Sequence, residues 1–255
     1  MQSKLFFAAF ILVMNLNPGL LNAQAIEDNG DFILVADAPG ECFENAYQLL
    51  AERSRIEEMV ADLNQFLALP YNITIHFQDN EGPYYYQGNI MMNYGFLNHV
   101  YNVFNNAEYI QSQEDLDVVL DVVEFVLYHE IGHALVEAYD IPITGKEEDA
   151  VDGLATILIA ELLQDPELAL VVADLFALQD EQVAEFQEAH FWDEHSLDAQ
   201  RYYNILCWFY GSDPEQNKDI VGEEGLAEQR AVRCPGEYQQ IFSSWGRLLS
   251  PFIKE

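Results

Sequence analysis

The sequence predicts an α+β fold, predominantly α, with a small β-sheet on the N-terminal side, a buried central helix and a helical C-terminal part. Three observations predict it. Residues 72–78 (NITIHFQ) alternate and are rich in β-branched side chains, the pattern of a half-buried strand. Residues 115–140 (DLDVVLDVVEFVLYHEIGHALVEAYD) are apolar around most of a helix circumference, which suits a helix packed on all sides. From Lys146 to about Leu249 the spacing of apolar residues is helical.

Taken in order, residues 1–25 read as a signal peptide: Lys4, an apolar run Leu5 to Met14, then Ala23-Gln24-Ala25 as a cleavage site. The run is too short for a bilayer, which needs roughly 20 residues. The mature chain would be residues 26–255, a single exported domain with no later membrane-spanning segment. Residues 26–41 read as a lead-in. Glu44 to Leu67 has helical spacing and ends before Pro70. Residues 79–83 (DNEGP) form a turn, and Tyr84 to Tyr94 one or two strands. A helix starts within Gly95 to Phe104. Ser112 and Asp115 form a start signal for the central helix, which stops before Pro142. A second helix spans Lys146 to Leu163, and Asp165-Pro166 caps a third. The remainder reads as short helices.

Composition narrows the function classes. There are 44 acidic and 10 basic residues, a formal charge of −34. Such a surface repels nucleic acid and anionic lipid. Half of the residues are apolar, so the chain is a folded core wrapped in carboxylates rather than a disordered acidic tail. Cys42, Cys207 and Cys234 give one disulfide and one leftover thiol. Cys207–Cys234 is the favoured pair, and closing that loop would stabilise the fold by roughly 3.5 kcal/mol in the chain-entropy treatment. Pairings through Cys42 remain open, and the spacing fits no Cys-based zinc site.

The chemistry sits in YHEIGHALV. His129 and His133 are four apart and share a helix face, so both can reach one metal ion. Glu130 lies about 100° around the helix, where a general base for an activated water belongs. Gly132 between the histidines permits a close approach. A catalytic zinc takes three protein ligands. Position 136 is Val and position 139 is Tyr, so no third histidine follows on this helix. The third ligand is expected to be a carboxylate on a following helix, and EEDAVD is the first candidate cluster. Glu148 and Asp152 share a face, one binding the metal and the other orienting an imidazole. Glu147 and Asp149 read as solvated charge.

H-E-x-x-H followed by a helix bearing E-x-x-x-D resembles the gluzincin zinc metallopeptidases. The resemblance implies a zincin-like domain in which His129, His133 and Glu148 hold Zn2+, Glu130 is the base and Asp152 holds His129. The interval from His133 to Glu148 is short for that group. A closer resemblance covers much of the chain. HEIGHALV, TGKEEDAVD, DEHSLDAQRYYNILCWFYGSDP and RAVRCPGEY look like a family of bacterial metallopeptidases known mainly from sequence, of unknown function.

Peptide hydrolysis also needs a donor for the oxyanion. The candidates are His195, Arg201, Tyr202 and Tyr203, with His195 first and Tyr202 second. Strand 72–78 or 84–94 could offer an edge to an extended peptide. His76 and His99 read as structural. The leading expectation is an exported metallopeptidase acting on peptide or protein substrates through zinc-activated water, with Glu130 as general base. The alternatives are a non-peptidase metal-dependent hydrolase and a catalytically silent zincin-type binding protein.

Overall fold

The computed structural model describes residues 26–254 apart from 41–43, 53, 80, 81, 113, 164, 165, 223 and 224. The leader assigned to residues 1–25, Cys42 and the Asp165 cap lie outside the described residues. The chain forms two compact units. The first comprises residues up to Phe96, His133–Ile141 and Ser243 onward; the second comprises Leu97–Gly132 and Pro142–Phe242.

The first unit carries a four-stranded sheet in the order β1-β2-β4-β3. The strands are β1 (Phe32–Ala36), β2 (Ile73–Gln78), β3 (Tyr84–Tyr86) and β4 (Asn89–Asn93). β1, β2 and β4 run parallel, and β3 is antiparallel to β4. Alternation in β2 buries Ile73, Ile75 and Phe77 completely on one face. Gln87 and Gly88, with φ of 45° and 77°, make the two-residue turn from β3 to β4. Positive φ at both positions matches the hairpin turn whose twist follows the strands. Between β1 and β2 lie α1 (Glu44–Glu52) and α2 (Arg55–Phe66). Asn64 of α2 fixes β1 by accepting from Phe32 N at 2.7 Å and donating to Phe32 O at 2.9 Å.

Three expectations change here. The lead-in 26–41 contains β1, whose partner residues in β2 are 41 positions away in sequence, so local pattern alone does not announce it. Glu44 to Leu67 is two helices; the second starts where the Ser54 hydroxyl donates to Glu58 at 2.7 Å. Strand 72–78 is interior, flanked by β1 and β4, so it has no free edge; β3 is the edge on its side of the sheet.

After β4, α3 (Tyr94–Asn106) leads to a short 3-10 turn, Glu114–Leu116, and then to α4 (Asp117–Ala138). The start signal works through the acid: Asp115 Oδ2 accepts from Gln111 N at 2.9 Å and Ser112 N at 2.7 Å. As the all-round apolar pattern requires, Val119, Leu120, Val122, Val123, Leu127 and Ile131 are fully buried. α5 (Glu147–Leu158) runs into one π-helical turn, Ile159–Leu163. α6 (Pro166–Asp180), the single-turn α7 (Glu188–Trp192), α8 (Asp198–Ser212), α9 (Glu228–Ala231) and α10 (Cys234–Leu249) complete the chain. The part after α6 is therefore not all short helices: α8 and α10 have 15 and 16 residues. Cys207 and Cys234 form the expected disulfide, joining α8 to α10. The class is α+β and predominantly α. Among the described residues no helix is long and apolar enough to cross a membrane.

Candidate metal centre

α4 presents His129, Glu130 and His133 from the last turns of an apolar helix. His129 and Glu130 are buried, and His133 is half-buried. α5 brings its own polar side chains against this face because Gly132 leaves room. A Cβ at Gly132 would stand 2.8 Å from Val151 Cβ and Cγ1, so only glycine lets the two helices meet this closely. Glu148 and Asp152, one turn apart on α5, then both reach His129. Its Nδ1–H donates to Asp152 Oδ1 at 2.7 Å, and its Nε2 lies 3.0 Å from Glu148 Oε2.

His129, His133 and Glu148 each offer one ligand atom, all within 4.8 Å of one another. Ligands at zinc distances in a tetrahedral site stand roughly 3.4 Å apart. The cluster therefore fits a metal ion after small side-chain adjustments, and two imidazoles with one carboxylate are a donor set such ions take. With Nδ1 held by Asp152, His129 keeps Nε2 for the ligand side.

Asp152 is itself held. Arg201 on α8 donates from Nε to Oδ2 at 2.8 Å and from Nη2 to Oδ1 at 2.7 Å, and its guanidinium lies 4.1 Å above the Phe176 ring. Burial pushes the Asp152 carboxyl up, but Arg201 and the hydrogen bond from His129 outweigh it and hold the group well below the usual carboxylate range. Burial likewise disfavours a charged His129, yet the hydrogen bonds to Asp152 and Glu148 raise its pKa to about 9. Arg201, a candidate oxyanion donor from sequence, is instead committed to this fork on Asp152. A buried arginine needs a carboxylate, and here Asp152 supplies it.

His195 lies before α8, in the turn that follows α7. Its Nε2 is 3.0 Å from Glu148 Oε2, and its ring stacks on that of His129 with centroids 6.1 Å apart. The bond to Glu148 raises its pKa. Two contacts fix the turn to the start of α5. Lys146 Nζ donates to the carbonyls of Asp193 at 3.0 Å and His195 at 2.9 Å. Ser196 Oγ donates to Asp149 Oδ1 at 2.6 Å. Asp149 is thus a structural acceptor rather than solvated charge, a role that depends on a residue 47 positions away.

Tyr202 packs edge-on against Tyr203, and after burial the charge that bears most on it is Asp174 rather than Glu148. His76 contacts Asn89 within the sheet, and His99 accepts from Gln179, which gives both structural contacts.

No curated protein and no solved structure matches the chain. Residues 37–249 match the DUF4344 family, described as "Putative metallopeptidase", and this span covers most of the sequence: the chain belongs to that metallopeptidase family.

Proposed function

We propose that the protein is an exported zinc-dependent peptidase. The observation that carries this is the His129, His133 and Glu148 cluster with buried Glu130 beside it on the same helix. Zn2+ held by those three side chains would supply Lewis acidity towards a water molecule and a peptide carbonyl. Glu130 accepts a proton from the attacking water on a carboxylate oxygen and delivers it to the leaving amine. Asp152 keeps the Nδ1 proton of His129 in place, and Arg201 keeps Asp152 ionised. His195 is the first choice for the oxyanion donor because its Nε2 already lies at the ligand carboxylate; Tyr202 is the second. The Cys207–Cys234 disulfide supports an oxidising compartment.

The test is a set of two variants. Glu130→Gln is expected to lower peptide hydrolysis by about 100-fold or more while zinc stays bound. Glu148→Ala is expected to weaken zinc by at least roughly tenfold. Metal analysis and a peptide-cleavage assay read both. A wild type that binds no zinc, or a Glu130→Gln enzyme at full activity, contradicts the assignment.

A further inference from the structure

The turn that brings His195 to Glu148 is the end of an unusual strip. Phe186, Phe191 and Trp192 are 43%, 66% and 74% exposed, although each is a large apolar side chain. Phe186 lies 6.0 Å from Phe191 and 5.7 Å from His190, ring to ring, and Trp192 follows Phe191 directly in the chain. Single exposed apolar residues are ordinary, whereas a contiguous aromatic patch marks a recognition surface. The patch is rimmed by exposed carboxylates, Glu185, Glu188, Asp193 and Glu194. No Lys or Arg occurs from Glu147 to Gln200, and the nearest cation before it, Lys146, is engaged with the carbonyls of Asp193 and His195.

Charge decides the occupant. A second copy of a chain carrying −34 would be repelled. A cationic peptide would be attracted, and its Lys or Arg groups could also stack on the exposed rings. Distance sets where its apolar side chain falls. Trp192 is three positions from His195, so about 10 Å of chain at most separates them, the span of about three residues of an extended peptide.

We propose that the strip from Phe186 to Glu194 is the substrate-recognition surface of the site, and that its substrates are cationic peptides with a bulky apolar side chain about three residues from the scissile bond. The proposal rests on the peptidase reading for its cleavage step, while the binding preference stands without it.

The experiment uses the full chain loaded with zinc and three peptides of equal length: one with Lys and Phe, one with Glu in place of Lys, one with Ala in place of Phe. The Lys/Phe peptide is expected to have a kcat/KM at least about tenfold above each of the others. The advantage over the Glu peptide should shrink above roughly 0.1 M salt, where the Debye length falls below about 10 Å. Phe191→Ser with Trp192→Ser should abolish the Phe preference and keep the Lys preference. Equal kcat/KM for the Lys and Glu peptides overturns the proposal, as does an unchanged Phe preference in the double variant. A dimer of the wild type that the double variant loses also overturns it, since the strip would then be a self-interface. If the double variant fails to bind zinc and so has not folded, the wild-type peptide comparison alone decides.

Binding of the same labelled peptides to Glu130→Gln separates the two readings. Lys/Phe-selective binding without cleavage by wild type would remove the peptidase and leave the recognition surface. Cleavage without selectivity would do the reverse. Neither binding nor cleavage overturns both.

Discussion

At the scale of single residues, the centre depends on a chain of charges: Arg201, Asp152, His129, Glu148. Asp152 is 3% exposed, so removing its cation strands a buried carboxylate. Arg201→Met is expected to cost about 3–5 kcal/mol in chemical denaturation, and less when combined with Asp152→Asn. It should also weaken zinc by roughly 10–100-fold, because His129 loses its oriented tautomer. A variant as stable as wild type contradicts this account. The same groups set a pH window for the chelated, metal-free chain. His129 has a folded pKa of about 9, above its unfolded value of about 6.5. Its stabilisation is complete below pH 6.5 and lost as pH rises through 9. Asp152 is depressed, so its contribution is present above about pH 4 and lost as pH falls further. Denaturation midpoints should therefore fall on both sides of a plateau between about pH 4 and 6.5, and a flat alkaline side contradicts it. His129, Glu130 and His133 were legible from spacing. Arg201 was not assigned its partner, because a salt bridge between residues 49 apart is visible only once the helices are packed.

At the scale of elements, the meeting of α4 and α5 is set by Gly132. Gly132→Ala would press a methyl group into Val151, and is expected to destabilise by about 1–3 kcal/mol and to weaken metal binding. Val151→Ala should restore part of both. Thermal melts and zinc titration read the pair, and a neutral Gly132→Ala would show that the helices can move apart freely. Elements with a strong internal period were legible: β2, α4 and the start of α5. β1 was not, since FILVA becomes a strand only when β2 lies beside it. α8 was read as part of a run of short helices because DAQRYYNILCWFYGS mixes polar and aromatic residues. Its regularity comes from packing against α6 and α5.

At the scale of the whole molecule, composition showed the acidic surface and the loop spacing favoured the Cys207–Cys234 pair, but neither gave a view of where the few cations act. Several of the basic residues are structural: Arg201 clamps Asp152, Arg230 forks onto Glu237, and Lys254 pairs with Asp28. Lys146 is the sole Lys or Arg between Arg55 and Arg201, and it stands between the helix bearing the two histidines and the helix bearing Glu148. A protease specific for lysine and arginine has one bond in that whole span to attack, and cutting it would part the proposed ligands into separate polypeptides. The bond is guarded by the side chain it requires, because an ammonium held by two backbone carbonyls cannot enter an acidic specificity pocket. Limited digestion of the folded chain should leave the span from Arg55 to Arg201 whole; early scission after Lys146 would mean that the ammonium readily leaves its carbonyls. The two hydrogen bonds that tie down the His195 turn thus also protect the integrity of the backbone that carries the centre.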